Sequence, residues 1–173
     1  RSGFEGARVE LVQGELAQRG DVGCRGLVRH DGRHHNRPGR GNLVDPVNTP
    51  MNDVLALLQR GLSLHEREPK EAMRAYQAVL RREPRHPDAW HLIGMLHRAA
   101  MDYVRADECL RKAIQVAPNE PLYLTNLGLI CHDQGQTSDA IAFYDRALAI
   151  NPRFALAHLN KGVALQAQGQ LHD

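Results

Sequence analysis

The stretch NLGLICHDQGQTSDAIAFYDRALAINP, residues 126–152, decides the fold. It holds two helical patterns, separated by Gly135 and closed by Pro152. In the first pattern Leu127, Gly128 and Cys131 lie on one stripe, and in the second Ala140, Tyr144 and Ala147 share a face. Gly128 lacks a side chain where a partner helix has to come close. Proline cannot continue the second helix, so the unit is an antiparallel pair that stops before Pro152.

The same pair recurs at an offset of 34 residues on both sides. Gly94, Gly128 and Gly162 keep that spacing, as do Ala72, Ala106 and Ala140, and Pro84, Pro118 and Pro152. Leu110 and Tyr144 are matched by Tyr76, and Ala113 by Ala147. Three columns on one period predict an all-α solenoid of stacked antiparallel αα-hairpins, because one hairpin cannot bury both its faces alone. The units run over about 54–86, 87–120 and 121–154, with 155–173 incomplete. The first unit is one residue short between Gly61 and Ala72 and carries Pro69 in its turn. In the fourth, Leu156, Val163 and Leu165 are expected to be only partly covered, which fits a piece of a longer solenoid or a contact with another chain.

Composition divides the chain near residue 50. Residues 1–50 are low in complexity and rich in Gly and Arg, and RHDGRHHNRPGRGN (29–42) is expected to be unstructured or non-native. Residues 51–173 are rich in helix formers. With 22 basic and 20 acidic residues the net charge is +2, too balanced to imply a polyanionic partner. The basic cluster Arg25, Arg29, Arg33, Arg37 and Arg40 has no interleaved aromatics, so nucleic acid is not expected. No segment is long and apolar enough to cross a membrane. Cys24, Cys109 and Cys131 make no disulfide framework, which points to a reducing, cytoplasmic setting.

The repeat unit resembles the tetratricopeptide repeat. Trp90, Ile93, Gly94, Ala106, Leu110, Ala113 and Pro118 carry the best match; Leu127, Gly128, Gly135, Ala140, Tyr144, Ala147 and Pro152 carry the next. The first unit resembles it through Gly61, Ala72, Tyr76, Leu80 and Pro84, and the fourth through Gly162, Leu165 and Gly169. The resemblance covers about two-thirds of the chain and implies a right-handed superhelix whose first helices line a concave groove for an extended peptide. Carried over by the glycine registers, the groove has an apolar column of Leu62, Met95, Leu129 and Val163. Beside it run a polar column of His65, Arg98, His132 and Gln166, and a third of Gln59, Leu92, Asn126 and Asn160.

On this reading the Asn126 and Asn160 amides hold a peptide backbone, and His65, His91, Arg98 and His132 favour an acidic segment. The function implied is a non-enzymatic interaction scaffold whose partner is another protein. Two alternatives stay open: the substrate-recruiting arm of a larger enzyme such as a protein-O-glycosyltransferase, and a self-association module using the uncapped C-terminal end. Some family members clamp a terminal carboxylate of chaperone tails with Lys, Asn and Arg. The matched places here hold Leu, Met, His and Gln, so that mode is not expected.

No catalytic residue, metal site or cofactor is expected. Cys24 and the His-rich run lack zinc-ligand spacing. The adjacent Cys131, His132 and Asp133 suggest chemistry only until they are placed on the helix. Cys131 falls on the buried stripe, His132 on the groove face and Asp133 near the helix end, so they do not converge.

Overall fold

The computed structural model describes residues 50–169. The expectations for residues 1–49 and for 170–173 lie outside the described residues. Seven helices are described: α1 (Pro50–Leu64), α2 (Pro69–Arg82), α3 (Pro87–Ala99), α4 (Tyr103–Val116), α5 (Pro121–Asp133), α6 (Thr137–Ile150) and α7 (Ala155–Ala167). The pairs α1/α2, α3/α4 and α5/α6 pack as hairpins, and each hairpin stacks on the next. The predicted all-α solenoid is the observed fold, with α7 as the first helix of a fourth unit.

Proline sets both ends of the units. Pro69, Pro87 and Pro121 open α2, α3 and α5, where the missing N–H is not needed. Glu83, Ala117 and Asn151 each precede a proline, which disfavours the helical region for them. Accordingly they leave the helix with φ of −129°, −129° and −130°, while their N–H groups still bond Val79, Ala113 and Ala147. Side chains complete some N-termini: His86 Nδ1 accepts from Ala89 N at 3.3 Å, and Asp102 from Arg105 N at 3.2 Å.

The turns within the second and third hairpins are Schellman caps. Met101 N–H donates to Arg98 O and Asp102 N–H to His97 O, each at 2.9 Å. Gly135 and Gln136 repeat the pattern onto His132 and Cys131, at 2.9 and 2.8 Å. The cap needs a left-handed residue; Gly135 supplies it at φ 78° and Met101 at φ 59°. Met101 therefore holds a backbone position that costs a non-glycine residue about 1–2 kcal/mol, with its side chain 74% exposed. The first hairpin, one residue shorter, turns differently: Glu68 N–H bonds Leu64 O at 2.8 Å and Pro69 starts α2 directly.

The core runs through the stack, within hairpins and between successive ones. Ala72, Tyr76, Leu92, Ile93, Leu96 and Cys109 form one cluster, Ala106, Leu110, Leu127 and Ile130 a second, and Cys131, Ala140, Tyr144 and Ala164 a third. Large side chains of the second helices fill the places the glycines leave. Tyr76 lies over Gly61, Leu110 over Gly94 and Tyr144 over Gly128. Lys161, the charged residue on the α7 stripe, reaches sideways to Asp145 at 2.6 Å. Trp90 packs at the edge of the first cluster, its Nε1–H donating to Pro84 O at 2.9 Å. Leu156, expected to be partly covered, is buried, whereas Leu165 is half-buried and Val163 stays exposed.

Candidate peptide-binding face

The three columns expected along α1, α3, α5 and α7 differ in how open they are. In the apolar column Leu62 and Met95 are half-buried, Leu129 is buried and Val163 is 42% exposed. Leu159, one turn before Val163, is also exposed. In the polar column His65, Arg98 and His132 are half-buried and Gln166 is exposed. In the third, Gln59 is exposed while Leu92, Asn126 and Asn160 are buried, and His91 beside Leu92 is fully buried. Along α5 every residue from Leu122 to Cys131 is buried.

The polar groups already serve the fold, and this corrects the expectation of amides and cations open to a ligand. Asn126 Nδ2 donates to His91 Nε2 at 2.7 Å. His91 Nε2 faces that amide inside the buried face, and the imidazole lies 5.0 Å from the Tyr123 ring. Tyr123 O–H donates to the Asp88 carboxylate. Arg98 Nε donates to Asp133 Oδ2 at 2.6 Å, which offsets its charge within the chain. Of the residues expected to favour an acidic peptide, Arg98 is therefore paired within the chain and His91 is buried. Asn160 is likewise buried rather than displayed.

All three of these bonds join α3 to α5 between residues 35 apart. Sequence reasoning missed Asp88, Tyr123 and the role of Asp133, because columns spaced by 34 do not pair residues that meet across neighbouring helices one position out of step. A search for complementary residues at 35 would have found them: Asp88 with Tyr123, His91 with Asn126, Arg98 with Asp133.

His65 is hydrogen-bonded to the Tyr76 hydroxyl at 3.0 Å, against the ring that covers Gly61. Burial lowers the pKa of His65 and raises that of Tyr76. The neutral imidazole is thus favoured in the folded state, while the unfolded chain protonates His65 near pH 6.5. The unfolded state binds more protons as pH falls below that value, so the His65 contribution is complete above it and declines toward the lowered folded pKa. The urea midpoint is expected to fall between pH 7.5 and 5.5 by more in the native protein than in His65→Gln. Equal slopes would count against it.

The CHD run resolves as three separate environments. Cys131 is buried against Ala140 and Tyr144, and burial raises its pKa, which suits a packing residue rather than a nucleophile. Cys109 is buried with its pKa raised in the same way. His132 Nδ1 is enclosed with no hydrogen bond to a described residue, and Asp133 faces Arg98. Among the described residues no group of His, Cys, Asp and Glu could hold a metal ion, and no helix is long and apolar enough to cross a membrane.

Seven helices stacked as Gly-notched hairpins define a class of repeat protein, and comparison with known families agrees. A tetratricopeptide repeat model matches residues 64–108 and a TPR repeat model matches residues 128–169. The chain belongs to the tetratricopeptide repeat family. It is 27% identical over 106 residues to anaphase-promoting complex subunit 3 of Schizosaccharomyces pombe, covering 61% of this chain and 16% of that protein. Among solved structures it resembles a Thermobaculum terrenum O-GlcNAc transferase, at 30% identity and TM-score 0.67, over 73% of this chain and 24% of that one. The first tetratricopeptide domain of Spaghetti (RPAP3), bound to an HSP90 peptide, has the same fold at 16% identity and TM-score 0.62, covering 68% of this chain and 94% of that one. The chain therefore spans less than a quarter of the length of the first two proteins.

Proposed function

We propose that this segment is a protein-interaction scaffold that takes an extended peptide along the face of its first helices. The observation that carries this reading is the apolar column, which stays partly open on α1, α3 and α7. Leu62 and Met95 are half covered and Leu129 is buried, but Val163 and Leu159 are exposed, with uncharged Gln166 one turn further on. An apolar strip with a polar edge offers contact area at about 25 cal/mol per Å² removed from water. Its selectivity comes from apolar side chains of the ligand rather than from acidic ones, since Arg98 is already paired and His91 is buried. The peptide-bound tetratricopeptide domain of RPAP3 supports the mode of binding, though not a particular ligand.

The test is selection of peptides from a random library on the chain, followed by affinity measurement with Val163→Glu and Leu159→Glu. Each exposed substitution is expected to leave the helical signal intact and weaken the selected peptides by about tenfold or more. Unchanged affinity in both variants removes the assignment. A second reading is favoured by the likeness to the O-GlcNAc transferase, in which this solenoid would deliver polypeptide to a catalytic domain elsewhere in the same protein. The complete coding sequence decides between them, because a sugar-nucleotide-binding domain in the same polypeptide would make the scaffold an enzyme's arm.

A further inference from the structure

The second helix of the first unit carries charge on a side that the fold does not use. Ala72, Ala75, Tyr76 and Val79 turn α2 toward the core. Lys70, Arg74, Gln77 and Arg81 follow at helical intervals on the opposite side, and all four are exposed. The row runs about 16 Å along the helix, at 1.5 Å per residue, and contains no acidic residue.

The repeat itself does not require this row. The equivalent positions on α4 hold Val104, Glu108, Arg111 and Gln115, and those on α6 hold Ser138, Ala142, Asp145 and Ala149. Arg111 and Asp145 are each paired within the chain, to Asp107 and Lys161 at 2.6 Å. On α2 Arg74 pairs with Glu71, yet its side chain is still 74% exposed. Lys70 and Arg81 make no ion pair with a described residue, whereas the neighbouring Arg82 reaches Asp53 at 3.3 Å. Lys70 also stands in the first turn of α2, where the helix dipole disfavours a cation.

We propose that this row is a docking site for an acidic segment of a partner protein, whose carboxylates meet Lys70, Arg74 and Arg81. Charge complementarity sets the sign of the partner, and the neighbouring glutamates set its class. Glu71 borders the row, and Glu68 and Glu83 cap the two ends of the helix. A surface of uniform negative charge, such as duplex DNA or an anionic bilayer, would meet these glutamates as well as the cations. A polypeptide places carboxylates opposite the cations alone. No Phe, Trp or Tyr is exposed among the described residues, so unpaired nucleic-acid bases have no platform on which to stack. The row lies on a second helix, apart from the peptide columns of the first helices, and does not depend on them.

The probe is an end-blocked octaglutamate peptide, titrated into the isotope-labelled 173-residue chain and followed by nuclear magnetic resonance. At about 0.15 M salt, charges more than roughly 8 Å apart are screened from one another. Saturable amide shifts are expected along α2 and not along α6. Lys70→Gln combined with Arg81→Gln is expected to weaken the peptide about fivefold or more, the scale of two exposed charge contacts. Arg60→Gln combined with Arg153→Gln removes the same charge elsewhere and leaves the affinity unchanged. The four substituted side chains are exposed, so the melting temperature holds and lost binding is not lost folding. The proposal is overturned if α2 shows no saturable shifts, if its double variant binds as well as the native chain, or if the control pair weakens binding equally. It is also overturned if a short DNA duplex or phosphatidylserine vesicles engage the same amides more tightly than the peptide, since the row then serves a uniform polyanion.

Discussion

Tyr144→Ala is expected to destabilise the protein by about 3–5 kcal/mol, the usual cost of truncating a large buried aromatic. The Tyr144 ring is fully buried, joins the cluster of Cys131, Ala140 and Ala164, and fills the space over Gly128. Its removal takes the filling from the α5/α6 hairpin and from the floor on which α7 rests. Stability in such arrays is close to a sum of units and interfaces, so the loss concentrates in the third hairpin and α7. Urea denaturation followed by circular dichroism reads the total. Hydrogen exchange should show α5–α7 opening well below the energy at which α3 and α4 open. A loss under about 1 kcal/mol, or one spread evenly over the chain, contradicts this account.

Gly128→Ala and Gly162→Ala are expected to move stability in opposite directions, although both replace a helical glycine in equivalent units. At Gly128 the new methyl would lie 2.7 Å from the Tyr144 ring and 3.0 Å from the Ala140 carbonyl oxygen. A backbone oxygen cannot yield cheaply. Overpacking of about 1–3 kcal/mol is therefore set against the roughly 0.5–1 kcal/mol that alanine gains over glycine in a helix interior. At Gly162 only the gain remains, because no described residue lies within 4 Å. Melting temperatures should fall for the first variant and rise for the second. A fall for both would mean that Gly162 is covered in solution.

The architecture was legible because three kinds of residue, each with its own physical role, repeat at one interval. Gly94, Gly128 and Gly162 mark close approach, the alanines mark the face that meets it, and Pro84, Pro118 and Pro152 force the exits. Even the irregular first turn was visible, through Pro69 and the missing residue. The left-handed turn at Met101 was not, since only Gly135 and Gly169 advertise that position; hydrogen bonds to Arg98 and His97 hold the methionine there regardless.

The face of the first helices was legible in its registers but not in its exposure. Helical spacing tells which side chains share a direction, not whether neighbours already occupy them. Asn126 reads as a ligand for a peptide backbone until His91 is found 2.7 Å away, and Arg98 reads as a free cation until Asp133 is found. The columns were drawn along identical positions, whereas side chains on adjoining helices meet one residue out of step.

Those out-of-step bonds also have a mechanical consequence. Asp88–Tyr123, His91–Asn126 and Arg98–Asp133 are spread over the length of α3, a span of about 15 Å at 1.5 Å per residue. A single central bond would act as a pivot and leave the two helices free to scissor. Three bonds spread along the helix oppose that rotation at the junction of the second and third units.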